Sequence, residues 1–165
     1  MKYAIVYSSK TGNTAALADR LHDILPHEHC VYFGDTSHYS PELGADLIFA
    51  GFWTDKGSCD DRTRIFLKNL QNTKIALFGT AGYAAPDYIL KQAEANIPVN
   101  NTVLTGFVCQ GKMQPAVADK FAAMLEKDPE DAKGKLLRDT YNEGLSHPNE
   151  EDFANFKKWA ESSIH

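Results

Sequence analysis

The residues Ser9-Lys10-Thr11-Gly12-Asn13-Thr14 combine three hydroxyls, one glycine and one lysine between an apolar run, residues 3–7, and a segment of helical periodicity. A strand that turns through such a loop into a helix presents unpaired backbone N–H groups and hydroxyls to a single point. An anion is held at that point by the amides and by the helix dipole. Lys10 is the loop's one formal cation, so binding there depends mainly on amide dipoles, which suits one phosphate better than a metal–triphosphate. The longer glycine-rich loop ending in Gly-Lys-Ser/Thr is absent, as is GxGxxG spacing, which counts against ATPases and dinucleotide dehydrogenases. A hydroxyl-rich helix start is by itself often only a cap. Its position directly after the first apolar run is what favours a ligand.

Two further loops carry flat side chains. Residues 52–59 read Phe-Trp-Thr-Asp-Lys-Gly-Ser-Cys, with Trp53 near the end of an apolar run and Gly57 placed for a turn with positive φ. Taken alone, Trp53 reads as an aromatic capping the core. Residues 80–86 read Thr-Ala-Gly-Tyr-Ala-Ala-Pro, small enough for backbone to approach a ligand, with Tyr83 as a second flat face and Pro86-Asp87 opening a helix. Two aromatics on separate loops beside an anion cradle fit a planar heterocycle held between rings.

The elements that position these loops alternate in type. Apolar runs at residues 3–7, 30–33, 47–52, 75–78 and 103–108 read as strands buried on both faces. Between them Leu17, Leu21, Ile24 and Leu25 recur at helical spacing, as do Ile65, Phe66 and Leu70, then Ile89, Ala93 and Ile97, and Val117, Phe121, Met124 and Leu125. Phe153, Phe156, Ala160 and Ile164 line a last helix, with Asn149 as its expected N-cap. The fold class is α/β: a three-layer sandwich, with a five-stranded parallel sheet in order 2-1-3-4-5 and helices on both faces. In such a sheet ligands bind beyond the carboxyl ends of strands one, three and four, where the three loops lie. Residues 1–165 read as one domain, in which the polar, weakly periodic stretch 127–147 wraps the surface.

Composition narrows the class. The chain has 165 residues, 43% hydrophobic and 24% charged, with a net charge of −5. That balance speaks against nucleic acid as a partner. Three widely spaced cysteines, Cys30, Cys59 and Cys109, offer neither a disulfide framework nor a zinc site. His22, His27 and His29 lie near one helix end and read as a polar turn more simply than as a metal site. The acidic groups at 60–61, 128–131 and 150–152 read as solvated helix starts. The first apolar run is too short for a signal peptide or a membrane span, so a cytoplasmic location without membrane insertion is expected.

The chain resembles the flavodoxins, whose phosphate loop Ser/Thr-x-Thr-Gly-x-Thr is matched by Ser9, Thr11, Gly12 and Thr14. The resemblance covers residues 2–109 and resumes at 147–164. It implies FMN as cofactor, with Ser9, Lys10, Thr11, Gly12, Asn13 and Thr14 at the phosphate. It also implies Trp53 and Tyr83 on opposite flavin faces, Thr54, Asp55, Lys56 and Gly57 forming the turn near flavin N5, and Thr80, Ala81 and Gly82 facing the pyrimidine edge. A redox partner protein, no catalytic side chain, no metal and a monomer or weak dimer follow from the same resemblance. With few cations expected near the ring, the reduced flavin would be disfavoured. Residues 110–146 are longer than a short flavodoxin places there, and the 53–59 loop departs from the best-known members. Residues 52–60 and 107–113 resemble a small flavodoxin-like subgroup associated with bilirubin-reducing enzymes. The alternatives are a quinone- or azo-type reductase that uses NAD(P)H on the same fold, a flavodoxin-like partner that maintains ribonucleotide reductase, and a non-redox interaction module. A magnesium-binding receiver domain would need acids where Tyr7-Ser8-Ser9 stands.

Overall fold

A computed structural model describes residues 1–83 and 85–164 of the chain. Ala84, in the third loop, lies outside the described residues. Strands β1 (Tyr3–Tyr7), β2 (Cys30–Asp35), β3 (Leu47–Asp55), β4 (Ser58–Cys59), β5 (Lys74–Ala81), β6 (Thr102–Val103) and β7 (Phe107–Gln110) build one sheet. Its path is β2-β1-β3-β5-β6, with β7 also on β5 and β4 on β3. Every pairing is parallel except the antiparallel β3–β4 contact. The expected order 2-1-3-4-5 is therefore present, with β5 as its fourth strand and β6 and β7 sharing the fifth position.

The helices α1 (Asn13–Ile24), α2 (Asp61–Lys68), α3 (Pro86–Glu94) and α6 (Glu150–Ser163) cover the two faces. Strand side chains alternate between them. Ile5, Phe49 and Phe78 join Leu17 and Leu21 of α1 and Phe156 and Trp159 of α6. Val6, Ile48, Phe52 and Leu77 join Leu67 of α2 and Ile89 of α3. Central strands buried on both sides are apolar throughout, which explains why the sequence runs there are continuous. Asn149 caps α6, accepting from the Asp152 N–H at 2.9 Å, while the Asp152 carboxylate accepts from the Asn149 N–H at 2.8 Å. This reciprocal box fixes the end of the chain onto the sheet.

Two expectations are altered. The run 103–108 is broken at residues 104–106. Trp159 donates its indole N–H to the Thr105 carbonyl at 2.6 Å, which takes that carbonyl out of the strand ladder. Residues 127–147 also form more than a surface wrap. Together with the preceding segment they make a helical hairpin of α4 (Ala116–Lys127) and α5 (Ala132–Gly144), capped at Asp131, whose carboxylate accepts from Lys133 and Gly134 N–H. Its seam is an edge-on pair of Phe121 and Tyr141, centroids 5.5 Å apart. The polar outer face of α5 hides that seam from a periodicity reading.

Candidate functional site

The carboxyl ends of β1, β3 and β5 open into a cleft of about 530 Å³. Lys10, Thr11 and Asn13 reach it from the first loop, Trp53, Thr54, Lys56 and Gly57 from the second, and Thr80, Ala81, Gly82 and Tyr83 from the third. The sequence therefore placed three loops that the sheet brings together. The N-cap of α1 is Gly12, whose φ of 88° only glycine adopts freely and which has no side chain to offer the first amides. Among the described residues, the N–H groups of Gly12, Asn13 and Thr14 have no protein acceptor. Free amides at the start of a twelve-residue helix form an anion site.

The hydroxyls are divided differently from the expected convergence. Thr14 is buried and points inward, donating to the Phe52 carbonyl at 2.9 Å and meeting the Thr80 hydroxyl at 3.1 Å. It ties α1 to the ends of β3 and β5 and leaves only its amide for a ligand. The Ser9 hydroxyl accepts from the Ala15 N–H at 3.2 Å. Thr11 stays exposed at the rim, its hydroxyl accepting from the Asn13 side chain at 2.7 Å. The Asn13 amide also donates to the Lys112 carbonyl at 2.9 Å, which holds the segment after β7 against the loop.

The second loop is a hairpin, since β3 runs on to Asp55 and turns back into β4. Lys56 and Gly57 have φ of 53° and 80°, two consecutive positive values that a tight two-residue turn requires. The positive φ of Gly57 was legible in sequence and that of Lys56 was not. Asp55 faces away from the first cleft into a second of about 600 Å³, which it shares with Ser9, Asp35 and Asp61. Trp53 borders both clefts, with the Lys10 ammonium 5.1 Å from its ring centroid, a cation–π distance. Tyr83 is 50% exposed, with a face open to a ligand.

Asp60 was missed as a site residue, having been read with Asp61 as part of a solvated helix start. It is 2% exposed and accepts from Trp53 N–H at 3.3 Å, Thr63 N–H at 3.2 Å and the Thr63 hydroxyl at 2.8 Å. It is at once the N-cap of α2 and the clamp that orients Trp53. An acid one residue before a helical pattern was the available signal.

The electrostatics also differ from expectation. Among the described residues, Lys10, Lys56, Lys112 and Lys120 line the cleft and no carboxylate does. The last two arrive on the insertion, whose contact with the site the sequence did not reveal. Two of the thiols lie in surroundings that disfavour the thiolate. Burial pushes the Cys59 thiol up, and burial with the nearby Asp152 carboxylate pushes Cys109 up to about 12. The folded chain thus holds the Cys109 proton more tightly than the unfolded chain. That stabilisation is complete below the ordinary thiol value of 9.0 and is lost as pH rises towards about 12. In thermal melts across this range, Cys109→Ala should lose stability less steeply with pH than the parent, and a parallel slope would refute the assignment. His22, Asp23 and His27 bring ligand atoms within 4.8 Å of one another. However, the two imidazoles stack at 4.3 Å and 8°, and His27 Nε2 meets the His22 carbonyl at 2.9 Å, as in a packed polar turn.

The Flavodoxin domain family matches residues 4–161. The chain belongs to the flavodoxin family. It is 40% identical to the flavodoxin-like domain-containing protein BilS of Clostridium symbiosum, over 99% of this chain and 96% of that one. BilS of Clostridioides difficile is 33% identical, over 99% and 97%. Among solved structures, a short-chain flavodoxin associated with a non-canonical PDU bacterial microcompartment superposes with a TM-score of 0.63 at 15% identity, covering 99% and 97% of the two chains. Oxidised flavodoxin 2 from Bacillus cereus gives 0.59 at 16%, covering 99% and 98%. These two likenesses bear on the fold alone. Among the described residues of this flavodoxin-family chain, no helix is long and apolar enough to cross a membrane.

Proposed function

We propose that the cleft binds FMN and that the chain passes electrons from it to a partner protein. The observation that carries this is the set of free Gly12, Asn13 and Thr14 amides at the start of α1, at one end of a cleft bordered by Trp53 and Tyr83. One further atom fits the group. Thr54 Oγ1, on the cleft wall, is buried with no partner among the described residues, and a polar atom of a bound ligand would satisfy it. When bound, FMN supplies one- and two-electron chemistry that amino-acid side chains do not provide.

The protein's own residues bind and orient. The amides of Gly12, Asn13 and Thr14, with the Thr11 hydroxyl, would hold the phosphate. Trp53, whose backbone N–H is held by Asp60, would present one ring face, and Tyr83 the other. Lys10 would supply the loop's one formal positive charge there. Lys56, in the turn beside the cleft, would favour added negative charge on the ligand, opposite in sign to the effect expected when few cations were foreseen. The partner is a reductase, and the subgroup resemblance of residues 52–60 and 107–113 points to a bilirubin-reducing enzyme.

FMN titration followed by flavin fluorescence tests the reading. Quenching at one equivalent is expected, and Trp53→Ala should weaken binding about tenfold through the lost stack. A chain that leaves flavin fluorescence unchanged would sink the proposal. The α4–α5 wall supports a second reading, a quinone- or azo-type oxidoreductase that uses NAD(P)H itself. Rapid bleaching of the bound flavin by NAD(P)H alone would favour it.

A further inference from the structure

We propose that the α4–α5 hairpin gives the cleft a second binding position, beside the flavin, for an organic anion with an apolar body, in the simplest case an aromatic carboxylate. This rests on the FMN reading and adds a ligand class to the same site.

Charge is the first argument. In a chain of net charge −5, the cleft is lined, among the described residues, by four lysines and no acid. The phosphate is provided for by the amides of α1 and by Lys10. Lys112 and Lys120 come from the insertion and remain as exposed cations at the rim. Lys112 is held there by its backbone, whose carbonyl accepts from Asn13 at 2.9 Å, while its side chain stays free to meet an anion. A lysine ammonium is a mobile point charge, suited to a carboxylate at a solvent boundary.

Packing is the second. Helix α4 buries no side chain completely, and α5 buries only Gly134 and Gly144. The hairpin therefore contributes little to the core of the sheet, yet Val117 and Leu137 line the cleft with Met113. Apolar side chains left half covered beside lysines make a surface for a molecule that is apolar in body and anionic at one end. A cleft of about 530 Å³ lies in the usual range for small-molecule sites. Its concavity favours a small molecule over a protein surface.

The test is calorimetric titration of the FMN-loaded protein with 9-anthracenecarboxylate and with the neutral 9-anthracenemethanol. FMN affinity is measured separately for each variant, and circular dichroism checks folding. The acid should bind at one site with FMN retained, and the alcohol about tenfold more weakly. Lys112→Gln with Lys120→Gln should weaken the acid about tenfold and leave FMN affinity within about threefold. Equal binding of acid and alcohol, or expulsion of FMN by the acid, would overturn the proposal. So would loss of FMN rather than acid in the double variant, because the lysines would then serve the phosphate. No acid binding, with lysine-dependent binding of a poly-glutamate peptide instead, overturns it in favour of a protein-docking role. If FMN itself fails to bind, the flavin reading falls. Titration of the unloaded chain with the acid then reads the two lysines alone, and their lack of effect overturns this inference too.

Discussion

Replacing Gly12 by alanine should lower FMN affinity at least tenfold while costing the fold little. A Cβ at this position meets nothing within 4 Å, so the penalty comes from the backbone alone. At φ +88° an L side chain costs about 1–2 kcal/mol. The chain relieves that strain by rotating the peptides on either side, which swings the N–H groups of Gly12 and Asn13 out of the cradle. Misdirected amides lose charge-assisted hydrogen bonds worth about 1.5–3 kcal/mol each. The melting temperature should fall by only a few degrees for a chain of this size. Gly12→Asn is the informative companion, because asparagine tolerates left-handed backbone better and should keep more of the affinity. If alanine and glycine bind FMN equally, the amides are not the phosphate site. Thr14→Ala is a poorer probe. It removes a buried hydroxyl that satisfies the Phe52 carbonyl, and so mixes lost stability with lost binding.

Asp60→Ala should produce the largest combined loss of stability and flavin binding. Its removal takes the cap from α2, about 1 kcal/mol, and strands the Trp53 N–H with the Thr63 donors, for a total of about 2–4 kcal/mol. Because Trp53 borders the cleft, FMN affinity should fall even at temperatures where the variant remains folded. Asp60→Asn keeps an acceptor and should retain most of the stability. Unchanged FMN binding in a folded Asp60→Ala protein would show that Trp53 needs no clamp to meet the ring.

The sheet was legible because a parallel strand buried on both faces leaves an uninterrupted apolar run, and five such runs with intervening helical periods admit few topologies. The loop before α1 was legible as a helix start because such starts advertise themselves through hydroxyls and glycine. Thr14 was not separable from Ser9 and Thr11, since one residue type serves equally as a ligand donor and as an internal tie. Asp60 and Asp61 are adjacent acids, and only the packing shows that one is buried and the other solvated. The Lys112–Lys120 contribution was invisible for a different reason. It depends on where a helical hairpin folds back, and no local pattern in residues 110–146 records that distance.

The break at residues 104–106 has a consequence for how this molecule meets others of its kind. A sheet edge with a long row of free N–H and C=O groups is a template for strand addition, and proteins blunt such edges with short or interrupted strands. On the β6–β7 side the ladder is split into a two-residue and a four-residue strand, and the Thr105 carbonyl in the gap is already engaged by the Trp159 indole. The opposite edge, β2, runs six residues, with one register shift between Cys30 and Tyr32. Of the two margins, β2 therefore offers the longer continuous template for strand addition.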